Sequence, residues 1–333
     1  MTLPTERAAP EWPTVWLANP ASRSGRAGYA VWRERLAGAL NLVAATLCED
    51  PTALDAAVER AVGDGIRRVI VGGGDGTVSR AADRLRGTPT VLGVVPLGTG
   101  NTFAEGLGLP HHPEALAAVL ASGPVRRLDL GWVEGSSGAR VFLNSVTLGV
   151  SARLVALLTA EVKRRWGWFA WPLEVRRALA ETPAVLARVA SPDGVEVFRT
   201  RQLVVANGPT IAGPIHPSAD SSGQDGLLEV FRLGGPSSYS MLRAAWHLVR
   251  GWLPRDREAR FRRVPRVEVA TDPPVPVDVD GDLWGMTPIA CRVLPGALAV
   301  LAPAPGGGRH GRRGRRQGGG GGDADGPGGP GGP

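Results

Sequence analysis

The 333-residue sequence predicts two domains in series: an α/β N-terminal domain built on a parallel sheet, then a C-terminal β-sandwich domain. Three observations predict it. From residue 14 to about 125, short apolar runs alternate with amphipathic helical segments, the βαβ pattern that makes a covered parallel sheet. From residue 126 onward the chain turns to strands punctuated by glycine and proline and interrupted by two helical stretches, which is sandwich texture. The length also exceeds what one compact core usually holds.

In order, strands fall near 14–18, 42–47, 68–71 and 90–95, with helices near 27–39, 53–62, 78–85 and 113–121. The second half offers strands near 126–133, 140–150, 184–190, 195–206, 227–231, 266–270, 275–279, 289–294 and 298–301. Domain limits of 1–125 and 126–302 follow, with the strands near 289–302 returning to the first domain. Residues 303–333 are a Gly/Pro/Arg-rich tail that lacks the apolar surface needed to fold.

Composition excludes several classes. The formal charge of +7 owes much to Arg309, Arg312, Arg313, Arg315 and Arg316 in that tail, so no specific nucleic-acid partner is expected. Cys48 and Cys291 sit far apart in apolar segments, which suits packed thiols in a reducing compartment. No Cys/His set has zinc spacing. No apolar stretch is long enough to cross a bilayer and residues 1–13 are charged rather than signal-like, so a cytoplasmic protein is expected.

The most informative motif is Gly72-Gly73-Gly74-Asp75-Gly76-Thr77, directly after the apolar run 68–71. Glycines there allow positive φ and let a bulky anion approach backbone N–H groups, and the following helix adds its positive end. Asp75 beside phosphates calls for a divalent cation or a proton between them. A second turn, Pro96-Leu97-Gly98-Thr99-Gly100-Asn101-Thr102, follows the next apolar run. Two such turns at the carboxyl ends of successive parallel strands would line one crevice, a plausible site for magnesium nucleotide. No G-x-x-x-x-G-K-[ST] loop is present, no G-x-G-x-x-G fingerprint follows either strand, and Lys163 is the only lysine.

With Asn19-Pro20-Ala21-Ser22-Arg23 after the first strand, and with Leu128-Asp129-Leu130-Gly131, Phe142-Leu143-Asn144, Asn207-Gly208, Asp225-Gly226-Leu227 and Asp280-Gly281-Asp282 further on, these turns resemble the diacylglycerol kinase catalytic family. That family includes bacterial lipid kinases and sphingosine kinases, and the likeness spans about residues 13–302. The resemblance implies a phosphofructokinase- and NAD kinase-like first domain, ATP and Mg2+ as cofactors, and a lipid hydroxyl as acceptor, on diacylglycerol or a sphingoid base. It implies that Asn19, Pro20, Ala21, Ser22, Arg23 and Thr46 lie along the nucleotide. It implies that Gly73, Gly74, Asp75, Gly76, Thr77, Val78 and Ser79 wrap the phosphates, with Thr99 and Asn101 closing the site. Asp282 matches the proton acceptor, Asp75 joins it at the reaction centre, and Ser222, Asp225 and Leu227 match a structural magnesium site.

Two positions depart from the family. Asp282 stands where a glutamate is usual, which draws the carboxylate back by about 1.5 Å. Thr102 stands where many members carry an aspartate. A catalytically silent binding relative is therefore one alternative, and a NAD kinase, which also carries a G-G-D-G-T turn, is another. The Asp278, Asp280, Asp282 spacing is not a calcium loop, because Leu283 and Ile289 occupy the required glycine and glutamate positions. A lipid substrate asks for peripheral contact with the inner face of the membrane. Two segments offer tryptophan beside arginine for it, residues 163–172 and 245–257. Oligomeric state is not legible.

Overall fold

The computed structural model describes residues 6–151, 182–208, 210–211, 215–216, 218, 221–233, 235, 237–250 and 252–304. The segment 163–172 and the tail 306–333 lie outside the described residues.

The first domain runs β1 (Thr14–Ala18), α1 (Gly25–Ala39), β2 (Leu42–Leu47), α2 (Pro51–Gly63), β3 (Arg68–Gly73), α3 (Asp75–Leu85), β4 (Val91–Pro96), α4 (Thr102–Gly106) and α5 (Pro113–Ser122). Its strands pair in parallel in the order β2-β1-β3-β4. Every residue of β1 and β3 is buried, as expected of strands covered on both faces. Helix α2 starts where Asp50 accepts a hydrogen bond from the Ala53 amide at 2.8 Å and Pro51 fills the first position. Since β1 lies between β2 and β3, the sheet order reverses at β1/β3. Such a switch point opens a crevice beyond the carboxyl ends of the two strands.

The second domain comprises β5 (Val125–Gly135), β6 (Gly138–Phe142), β7 (Ser145–Gly149), β8 (Val185–Ser191), β9 (Gly194–Thr200), β10 (Gln202–Ala206), β11 (Leu228–Arg232), α6 (Ser238–Val249), β12 (Arg262–Val264), β13 (Arg266–Asp272), β14 (Pro276–Val279), β15 (Asp282–Met286) and β16 (Ile289–Leu301). Six strands form an antiparallel sheet ordered β12-β11-β10-β7-β14-β15. The facing sheet is continuous with the first domain, because β16 pairs β13 and β5 along its length and then meets β4 in parallel at Val300 and Leu92. Between the two sheets lies an apolar core that includes Val133, Phe142, Val205, Val230, Val269 and Val279.

Four predicted strands differ in detail. The run 140–150 is two strands, since the Leu143, Asn144 and Ser145 amides leave the ladder to bind Asp280. The run 195–206 breaks at Arg201, so that β9 joins one sheet and β10 the other. Segments 289–294 and 298–301 are one strand, β16, irregular between Leu294 and Leu298 with Gly296 at φ 57°.

Candidate active site

At the switch point the chain leaves β1 through Asn19. Its amide donates to Gly72 O at 2.9 Å, its Nδ2 donates to Thr77 Oγ1 at 3.0 Å, and its Oδ1 accepts the Ala21 amide at 2.8 Å. One side chain thus ties the first turn to the glycine turn. The chain then folds back so tightly that a Cβ on Gly25 would lie 1.9 Å from Asn19 O.

The glycines after β3 are needed for close approach. None of Gly72, Gly73, Gly74 and Gly76 has positive φ, which corrects the expectation of a left-handed turn. A Cβ on Gly73 would lie 2.5 Å from Thr77 Cβ, and one on Gly98 would lie 2.4 Å from Gly74 Cα. The two turns therefore touch, backbone to backbone. Gly74 precedes α3, whose first N–H groups, at Asp75 and Gly76, lack intrahelical acceptors as any first turn does. They make a positive helix end beside the open side of the turn.

Asp75 links the turns a second time. Its Oδ1 accepts the Phe103 amide at 2.9 Å at the start of α4, while its Oδ2 makes no hydrogen bond to a described residue. Asn101, at φ 50°, closes the second turn on itself: its Oδ1 accepts the Gly98 amide at 3.0 Å and its Nδ2 donates to Gly98 O at 3.2 Å. Thr99 is exposed beside it.

The sandwich contributes the opposite wall through the β14–β15 turn. Asp280, at φ 53°, accepts the amides of Leu143, Asn144 and Ser145 at 2.7, 2.8 and 3.0 Å and the Ser79 hydroxyl at 3.2 Å. Burial pushes this carboxyl up and the three amides pull against it. It fastens the sandwich to α3. Two residues on, Asp282 Oδ2 reaches to 3.9 Å from the position a Gly76 Cβ would take and 3.8 Å from an Arg140 guanidinium nitrogen. Asp278 points away from the sandwich core and is 4% exposed. Its Oδ1 accepts the Gly281 amide at 3.1 Å and its Oδ2 has no partner, and burial pushes its carboxyl up to about 6.

Between the walls lies a cleft of about 530 Å³, within the range of small-molecule sites. Asn19, Ala21, Gly76, Thr77, Ser79 and Asp282 line it. Gly73, Gly74, Asp75 and Val78 lie in the glycine turn and the first turn of α3 behind that lining, while Thr99 and Asn101 belong to the adjoining turn. Pro20, Ser22, Arg23 and Thr46 do not line the cleft. Sequence reading missed Cys48, Glu49, Asp50, Arg80, Arg140 and Trp284, all in the lining. Only Asp50 carried a signal, as a helix cap before a proline. Arg80 is held by Asp55 at 2.6 Å, whereas among the described residues Arg140 makes the looser contact with Asp282.

The residues matched to a structural magnesium lie elsewhere. Asp225 Oδ1 accepts the Leu227 amide at 3.0 Å, and its Oδ2 accepts the Ser222 hydroxyl at 3.2 Å and pairs with Arg263. A guanidinium occupies the place of a cation, so these residues as arranged do not fit a metal ion. Among the described residues no cluster of three His, Cys, Asp or Glu side chains could hold one.

Comparison with known proteins agrees with this arrangement. Residues 13–133 match the diacylglycerol kinase catalytic domain, and residues 144–302 match the YegS C-terminal NAD kinase beta sandwich-like domain. A relative from Chromohalobacter salexigens named "Probable lipid kinase YegS-like" is 31% identical over 246 residues, 72% of this chain and 77% of the relative. The chain belongs to the YegS-like lipid kinase family. A second family member, from Pseudomonas aeruginosa, is 32% identical over 250 residues, 74% of this chain and 80% of its own. A crystal structure from Bacillus anthracis str. Sterne superposes with TM-score 0.72 at 20% identity, covering 90% of this chain and 98% of that chain. Another from the same organism, described as a diacylglycerol kinase, has TM-score 0.68 at 17% identity, covering 88% of this chain and 97% of that chain. These two show the fold. Membership of a kinase family makes the chain a phosphotransferase of that family and implies ATP as donor.

Proposed function

We propose that this chain transfers the γ-phosphate of ATP to a hydroxyl of diacylglycerol or a related lipid, with residues 1–125 holding the nucleotide and 126–302 presenting the acceptor. The observation that carries the reading is Asp282 Oδ2 lying 3.9 Å from the Cβ position of Gly76. It puts a carboxylate from one domain against the anion-binding turn of the other.

In this scheme the Gly73–Ser79 backbone and the α3 end hold the phosphates, with Asn19 and Thr77 fixing the turn's shape. The acceptor oxygen attacks the γ-phosphorus, the bond to the β–γ bridging oxygen breaks, ADP leaves, and the hydroxyl proton passes to Asp282. Phosphoryl transfer needs positioning and charge neutralisation more than covalent help from the protein. Arg140 supplies a cation on the acceptor side. Magnesium would enter with the nucleotide and neutralise phosphate charge, and Asp75 Oδ2 is the carboxylate oxygen left open to it.

Contact with the cytoplasmic face of the membrane belongs to the same proposal. No helix among the described residues is long and apolar enough to cross a bilayer. Tyr239, Trp246 and Trp252 are 76%, 54% and 43% exposed, and the Arg250 guanidinium stacks 4.3 Å from the Trp246 ring centroid. Indoles and arginines of this kind settle at the headgroup level.

The test is incubation of the purified protein with γ-labelled ATP, magnesium and a total membrane-lipid extract. Label in a lipid that co-migrates with phosphatidic acid is expected. Label in NADP when NAD is added alongside the lipid, or ATP bound without any labelled product, would overturn the reading in favour of a NAD kinase or a silent relative.

A further inference from the structure

Among the described residues the sandwich sheets end at two edges. One, at β6 and β15, faces the active-site cleft; the other lies where β9 ends one sheet and β12 ends the other. At this second edge the sheets part around a cavity of about 320 Å³. Its walls are Val189, Phe198, Leu203, Val230, Val264 and Val267, drawn from both sheets. Four of them, Leu203, Val230, Val264 and Val267, are nearly fully buried, so the cavity reaches the sandwich core.

An inward-facing carboxylate stands at the mouth. Glu196 is paired with Val189 across β8 and β9, so both side chains share the interior face. It is met from the other sheet by Arg262, at 2.6 Å, and by Arg260 at 3.1 Å. Arg260 and Arg232 also lie over the Phe198 ring, at 5.7 and 5.2 Å from its centroid. Three guanidinium groups thus surround one carboxylate and one aromatic ring, with the rim residue Asp193 exposed to solvent. The inward charge also guards an edge strand against pairing with another chain. That function does not call for an apolar cavity behind it.

We infer that this edge cavity binds a single-chain anionic amphiphile of the fatty-acid class. The chain occupies the valine-lined space between the sheets. The head displaces Glu196 from Arg260 and Arg262, whose planar guanidinium groups suit a carboxylate. Cavity size is in keeping with one chain rather than a two-chain lipid, since it sits at the low end of ligand-site volumes, on the order of 300–1,000 Å³. The inference does not rest on the phosphotransfer reading, because Asp282 lies on β15 at the other edge.

Isothermal titration of the full chain with laurate and with dodecanol, both as monomers and in excess ATP, is the test. One laurate per chain is expected, with dodecanol at least tenfold weaker. Glu196→Gln should tighten laurate severalfold, because it frees both arginines, and Arg260→Gln with Arg262→Gln should remove the preference for the acid. Val189→Phe, a partly buried position, should weaken laurate tenfold while leaving the circular dichroism unchanged. Equal affinity for acid and alcohol, many laurates per chain, displacement by ATP, or binding indifferent to Val189→Phe would each overturn the inference.

Discussion

At the scale of single residues, Asp278 is costly where it sits, with Oδ2 buried and unpartnered and a carboxyl pushed up to about 6. A carboxyl raised in the folded state binds a proton that the unfolded chain has already released, so stability falls as pH rises from about 4 to about 6. Above that window the charged form costs about 2–3 kcal/mol. Asp278→Asn keeps an acceptor for the Gly281 amide without the charge. Urea unfolding should show it more stable than the parent by about 2–3 kcal/mol at pH 8 and nearly equal below pH 4; equal stability at pH 8 would refute the assignment. Arg68 is the opposite case, a fully buried cation whose carbonyl and hydroxyl acceptors are Thr14 Oγ1, Leu120 O, Ala121 O and Ala9 O. Burial lowers it to about 10. Arg68→Ala takes the guanidinium donor from Thr14 Oγ1, Leu120 O and Ala121 O, while Ala9 O keeps the Trp12 amide, and should cost at least about 3 kcal/mol in the same measurement, and Arg68→Lys should recover only part because its point charge cannot reach four acceptors.

At the scale of elements, the two glycine turns work as one because Gly74 and Gly98 touch. Gly98→Ala would place a methyl group 2.4 Å from Gly74 Cα, backbone against backbone, so one turn must move. ATP affinity measured by calorimetry should fall at least tenfold, since misplacement by about 1 Å is enough for losses of that order. Gly38→Ala is the control: nothing lies within 4 Å of its Cβ position in α1, and alanine there should stabilise by about 0.5–1 kcal/mol. These turns were legible in the sequence because glycine is costly wherever backbone closeness does not demand it. Their reason was not, since close approach and positive φ call for the same residue. The break between β6 and β7 was hidden for a related cause. Residues 140–150 read as one apolar run, and only Asp280, more than 130 residues away, takes the amides that interrupt it.

At the scale of the molecule, the cleft exists because β5 and β16 run through both domains and Ser79, Asp280, Thr102 and Thr210 bind them side by side. Motif order revealed both domains and the residues facing each other across the gap. Arg140 and Trp284 were invisible beforehand, because ordinary strand positions acquire meaning only once β6 and β15 stand over α3. The central claim is that Asp282 reaches across this cleft to take the proton of a lipid hydroxyl from the phosphate-bound turn. The most direct measurement compares the parent chain with Asp282→Asn for ATP affinity and for lipid-dependent transfer of labelled phosphate. Unchanged affinity with a rate lower by about 10²–10⁴-fold is predicted. Transfer by Asp282→Asn at the parent rate would contradict the account.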